Sequence, residues 1–180
     1  MKLAVASGVS LLIAAASVAC EGAGEPPITL TASDSADQVL FEFRTTITID
    51  GVRRVHLEAD TAYFYQRVQQ AELIGVHVEF FSVTGEHTST ITSIDGTYDW
   101  RTQNMEARGD VVATTPDNRR LTTDTLRYDH QRNEIYGPTA FVFDAPDRHL
   151  EGDAFTSDPD FERVETVRPR RGRIGEVGNR

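Results

Sequence analysis

The sequence predicts an all-β body of stacked antiparallel strands whose apolar side chains line the inside. Three observations carry that expectation. Almost every segment between residues 37 and 162 alternates apolar and polar residues with the period of two of a half-buried strand. Thr, Val and aromatic residues outnumber strong helix formers there, and no stretch of the mature chain sustains a helical stripe. A phrase that opens on aspartate and closes on glycine recurs along the chain.

The first segment stands apart. Lys2, a short apolar run and small residues before Cys20 describe an export signal over residues 1–19. The run is too short and too rich in Ala and Ser for a membrane span, which needs about 20 predominantly apolar residues. Ser17-Val18-Ala19-Cys20 resembles a bacterial lipobox, in which the cysteine becomes the acylated first residue. Leu is usual where Ser17 stands, and a plain secretory signal is the alternative. Acylation of Cys20 accounts for a lone cysteine in an exported chain. Residues 20–36 carry Pro26-Pro27 and small polar residues, the composition of a flexible tether.

The first strand follows. Val39, Phe41, Phe43, Thr45, Ile47 and Ile49 alternate with Leu40, Glu42, Arg44, Thr46 and Thr48, giving one apolar face. Asp50-Gly51 suits a tight hairpin because both positions tolerate positive φ. The return strand places Val55, Leu57 and Ala59 on one face. A strict two-residue turn sets these against the wrong face of the first strand, so a bulge or longer loop is expected.

The repeat comes next. Asp60 leads through TAYFY, QRVQQ and AELIG to Gly75. Asp95 leads through GTYDW to Gly109, and Asp124 through TLRYD to Gly137. A shorter copy opens at Asp153 and ends at Asp158-Pro159. Each unit reads as strand, polar turn, strand and glycine, with a further strand after it. Gly51, Gly75, Gly109 and Gly137 are the expected structural turn positions. One hairpin cannot bury its apolar face, so copies stack. An elongated stacked body and a conventional globular sandwich both fit short regular strands, and the repeated aspartate favours the first.

Charge separates body from tail. From Cys20 to Glu162 there are 11 Arg against 26 acidic residues, whereas residues 163–180 hold 6 Arg against 2 Glu. So acidic a body excludes nucleic acid as its partner. The tail has Pro, Gly and no apolar period, and is expected to be disordered. The domains are thus 1–19 signal, 20–36 acylated cysteine and tether, 37–162 β domain, and 163–180 basic tail.

Catalysis finds little support. His56, His77, His87, His130 and His149 show no metal-ligand spacing, and no nucleophile-elbow, P-loop or dinucleotide motif occurs. Asp95 with Asp99, Asp124 with Asp129, and Asp158 with Asp160 form acid pairs that a jelly-roll glycosidase could use. They recur at turns and strand starts, where Asp shapes backbone. The expectation is a protein that is not an enzyme and holds no metal. Its aromatic residues serve either as dry core or as an acyl-chain lining, since both use the same residue types.

Leu57 to Asp60, Gly96 to Asp99 with Gly109 to Val111, and Leu121 to Asp129 occur in an order that resembles the LptC family of lipopolysaccharide-export proteins. The resemblance spans roughly residues 36 to 160. It implies a twisted OstA-like β-jelly roll with an open apolar groove, no cofactor, and transfer of lipopolysaccharide without chemistry. The implied partners are an inner-membrane LptB/LptF/LptG-type ABC transporter and an LptA-like protein joined by strand-edge pairing. Groove candidates are Phe41, Phe43, Leu57, Val78, Phe80, Tyr98, Trp100, Val111, Leu126, Tyr128, Phe141 and Phe143. The implied location is the periplasmic face of the inner membrane of a Gram-negative-type bacterium, lipid-anchored through Cys20. Family members typically use a transmembrane helix instead, and the basic tail is not a family feature. Without acylation, the soluble LptA-like sister becomes the better assignment; a structural β-sandwich lipoprotein that binds proteins but no lipid is a further reading.

Overall fold

A computed structural model describes residues 35–174, so the expected signal, Cys20 and most of the tether lie outside the described residues. Ten strands form one antiparallel sheet: β1 (Gln38–Ile49), β2 (Val52–Tyr65), β3 (Gln70–Phe81), β4 (His87–Asp99), β5 (Asn104–Thr114), β6 (Arg120–Asp129), β7 (Glu134–Gly137), β8 (Phe141–Ala145), β9 (Arg148–Ser157) and β10 (Val164–Ile174). The strands meander, each beside its chain neighbour, except that β7 and β8 both lie between β6 and β9. These two are halves of one strand, interrupted at Pro138, which has no N–H for a ladder. Threonines bridge the gap: Thr125 N donates to Thr139 Oγ1 at 3.1 Å, and Thr123 Oγ1 donates to the Ala140 carbonyl at 3.0 Å.

The first hairpin closes at Asp50 and Gly51, both with positive φ, and Ile49 pairs Val52. The expected bulge is present, with the register shifting between Ile47 and Thr48. It sets Ile47 against Val55, Thr45 against Leu57 and Phe43 against Ala59 on one face.

A seam crosses the sheet at mid-strand. In β2 the inward residues are Val55, Leu57 and Ala59, then Ala62; in β3 they are Ala71 and Leu73, then Val76, Val78 and Phe80. In β6 they are Leu121 and Thr123, then Leu126 and Tyr128. Each of these three strands thus changes parity once, as a bulge or an irregular residue requires; β5, with two left-handed residues in succession, keeps Ala107, Val111 and Ala113 on one parity. The recurring acids and glycines sit at this seam. Asp60, Asp95, Asp124 and Asp153 mark it in β2, β4, β6 and β9. Residues with left-handed backbone lie along the seam in alternate strands of the sheet: Glu42 in β1, Gly75 in β3, Gly109 and Asp110 in β5, and Arg168 in β10. Gly75 and Gly109 are therefore not turn residues, contrary to the sequence reading; they lie inside continuous strands. Gly137 ends β7 with the Phe155 ring against its Cα. The actual turns carry other acids: Asp99 Oδ1 accepts from Arg101 N and Thr102 N, and Asp129 Oδ1 from Arg132 N.

At the seam the sheet folds over itself. Phe80 and Tyr128 show how far. Tyr128 pairs through Met105 and Tyr98 to Ala71, nine residues along β3 from Phe80. In a flat sheet that offset is about 30 Å, at about 3.3 Å per residue. The two rings instead meet edge to face with centroids 4.9 Å apart. Ser89 likewise donates to the Pro159 carbonyl at 2.6 Å across 70 residues of chain. The two half-sheets are the layers of a jelly roll, and the hydrophobic core lies between them.

Two further expectations are corrected. Residues 164–174 form strand β10 rather than a disordered tail. An edge strand pairs on one side only, so it accommodates Pro169 and outward arginines. On β1, the left-handed Glu42 breaks the alternation, so Phe41 points outward and is 76% exposed while Phe43 packs against the core.

The candidate site: an apolar interlayer and two free edges

The interlayer is built by inward positions of both half-sheets. Of the groove candidates, Leu57, Val78, Phe80, Tyr98, Val111, Leu126, Tyr128, Phe141 and Phe143 are buried within it. Phe43 and Trp100 are half-buried against it, and Phe41 lies outside. Cys20 falls outside the described residues. Leu73, Ile91, Leu121, Ile135, Phe155 and Phe161 belong to the interlayer but were absent from the sequence-derived set. Ile91 and Leu121 were legible as single apolar residues between polar neighbours in strands. Phe161 was not: it is buried from the β9–β10 connection with a left-handed backbone, and its one signal is an aromatic residue flanked by acids.

Aromatic contacts run across the interlayer. Near β1, Phe43 meets Phe64 at 5.4 Å and Phe64 meets Trp100 at 5.4 Å. Phe80 and Tyr128 hold the middle, and Phe141 meets Phe155 at 5.0 Å near β9. Burial pushes the Tyr128 phenol up to about 12 and raises that of Tyr98. The space left among Leu57, Leu73, Phe80, Ile91, Leu126 and Tyr128 is a cavity of about 20 Å³. That is room for roughly one water. The two half-sheets are thus closely packed against each other in this region. The interlayer's less covered stretches are the Phe43–Phe64–Trp100 cluster with Met105 at one end and Leu150 at the other.

The outer face carries charge. Arg108 Nε donates to Asp95 Oδ1 at 2.7 Å, and Arg127 Nε to Glu106 Oε2 at 2.7 Å. Asp95 is thus in an ion pair and Asp99 in a turn, so the acid pair of the sequence reading divides between two structural tasks. An open cleft of about 450 Å³ lies at the seam, lined by Asp110, Asp124, Glu151 and Arg170 together with Val112 and Val142. Val111 and Phe141 form its floor and belong to the interlayer as well. No group of His, Cys, Asp or Glu among the described residues is arranged to hold a metal ion.

The sheet does not close into a barrel. Among the described residues β1 pairs only β2, and β10 pairs only β9, so each is an edge of the sheet. The edges differ. β1 exposes Val39, Leu40 and Phe41, whereas β10 carries Pro169 and exposed arginines.

The comparisons with known proteins agree with this architecture. A family model described as lipopolysaccharide-assembly, LptC-related, matches residues 3–166. Among solved structures the chain is similar to LptH of Pseudomonas aeruginosa, described as the LptA-homologous periplasmic component of a lipopolysaccharide transport device. That likeness has a TM-score of 0.50 at 15% identity, over 63% of this chain and 82% of the other, and shows the shared fold. No curated protein matches the chain.

Proposed function

The chain belongs to the LptC-related family of lipopolysaccharide-assembly proteins, and on that premise we propose how it serves as a non-enzymatic component of lipopolysaccharide transport. It receives lipopolysaccharide from an inner-membrane LptB/LptF/LptG-type transporter and passes it to an LptA-like protein, with energy supplied by the transporter. The half-sheets part to admit acyl chains, which replace side-chain contacts among Phe80, Tyr128 and their neighbours, while the sugar headgroup stays in water. The strand edges dock the proteins before and after it. Acylated Cys20 holds the protein on the periplasmic face of the inner membrane, since two or three acyl chains suffice for stable anchoring.

The observation that carries this reading is an apolar layer between half-sheets in a sheet that never closes, in a chain of this family. A fold with free edges and a seam can open without breaking a barrel. Site-specific photocrosslinking tests it. A photoreactive residue at Phe80 or Phe141 is expected to capture lipopolysaccharide, and one at the outward Glu72 is not. Capture at Glu72 with none at the interlayer positions overturns the reading. Mass spectrometry of the mature N-terminus decides the anchor: an unmodified Cys20 removes it.

A further inference from the structure

Strand β10 changes character halfway along. Val164 and Thr166 continue the packed face, the first buried and the second half-buried, opposite Ser157 and Phe155. From Val167 to Gly172 every residue is exposed. Arg168 has a φ of 54°, and the register against β9 slips between Pro169 and Arg171. Pro169 has no N–H to donate. This half lacks buried apolar anchors and part of the ladder.

Charge is what remains to hold it. Arg168 Nε lies 3.7 Å from Asp153 Oδ2, and Arg170 pairs with the other oxygen of the same carboxylate. Arg171 stands opposite Glu151 in register. The Glu151 carboxyl is held below its usual range, first by its bond from His149 and then by Arg171 and Arg170. Exposed ion pairs of this kind hold weakly and are screened by salt. The segment also lies past residue 166, where the family match ends.

Beneath it lies the edge of β9 from Arg148 to Gly152, whose other side pairs with β8. An uncovered edge is a template for another strand. The strand best suited on this chain is β1, a free edge with exposed Val39, Leu40 and Phe41. Its addition to β9 of another copy would be a head-to-tail contact that does not close.

We propose that residues 168–174 form an ionic strap, which covers the β9 edge through Asp153 and Glu151 and prevents β1 of a second copy from pairing there. Screening or reversing those charges releases it. The proposal is independent of lipid carriage.

Two measurements on the full chain test it. Hydrogen exchange of the wild-type protein is followed from roughly 0.05 to 1 M salt, across which screening becomes severalfold shorter in range. Exchange over residues 170–174 is expected to accelerate about tenfold or more while β3–β6 stay unchanged. Salt-independent protection there overturns the proposal. The variant Arg168→Glu/Arg170→Glu/Arg171→Glu is then compared with wild type by light scattering at roughly 100 µM, where association through exposed edges shows. The variant is expected to form oligomers that Phe41→Asp abolishes, and the wild type to remain monomeric. A variant that stays monomeric although its strap exchanges freely refutes the shielding role. Should the variant not fold, the same scattering on wild type across the salt series decides in its place.

Discussion

The carboxylate of Asp60 lies over the Cα of Gly75, in the space a side chain at that position would occupy. The two residues sit at the seam on adjacent strands, and Gly75 has a φ of 66°. Gly75→Ala is expected to destabilise by about 1–2 kcal/mol from the left-handed backbone alone. The collision with Asp60 adds to that loss. Asp60→Gly in the same chain should recover the steric part and leave the backbone part. Urea unfolding of the three variants checks this; full additivity would show that the contact does not matter.

Phe41 and Phe43 alternate with Glu42 and so read from sequence as one face, yet they point to opposite sides of β1. Phe41→Ala is expected to change stability by less than about 0.5 kcal/mol, as at other open surface positions. Phe43→Ala should cost about 2–3 kcal/mol, near the low end for a buried Phe because the ring is only half-covered. Equal effects would refute the face change at Glu42.

The Phe80–Tyr128 contact joins the half-sheets directly. A double-mutant cycle to Leu at both positions is expected to give a coupling of about 0.5–1.5 kcal/mol. The Tyr128 phenol, raised from 10.0 to about 12, also sets an alkaline signature. Its folded pKa lies above the unfolded one, so the stability it represents is intact below pH 10 and is lost as pH rises towards 12. The full loss is about 3 kcal/mol, at 1.36 kcal/mol per pH unit. Tyr128→Phe should remove that part of the alkaline slope in unfolding measured at successive pH values.

His149 is held by two carboxylates, its Nε2 3.0 Å from Glu151 Oε1 and its Nδ1 2.5 Å from Asp144 Oδ1. Bonds to Glu151 first and Asp144 second raise its pKa above 6.5. The clamp is therefore fully present below pH 6.5 and is lost as pH rises through the raised value. At the acid end it weakens as pH falls through the depressed Glu151 pKa. Proton NMR of the ring should show a midpoint above 6.5, and Glu151→Gln should lower it. A midpoint at or below 6.5 would contradict the clamp.

Much of the fold was legible in residues 38–157. Period-two alternation identified the strands, Asp50-Gly51 the first hairpin, and the mismatch of Val55, Leu57 and Ala59 the bulge beside it. The turns at Gln66–Gln69, Trp100–Gln103 and His130–Asn133 fall in the polar stretches read as turns. Composition misled at β10, because Arg, Pro and Gly suit a solvated tail and equally an edge strand paired on one side.

What the sequence alone determined was local: strands, their antiparallel order and a repeated acid and glycine. Alternation is a relative pattern, and a single irregular residue exchanges its two faces. Which side of each strand turns inward was decided by the tertiary fold. Only when the half-sheets close does the parity change at Asp60, Gly75 and Asp124 bring both ends of β2, β3 and β6 into one core. Phe80 and Tyr128 illustrate the reason. Nothing in the residues around either one specifies a partner three strands away, and they meet because the whole seam bends together.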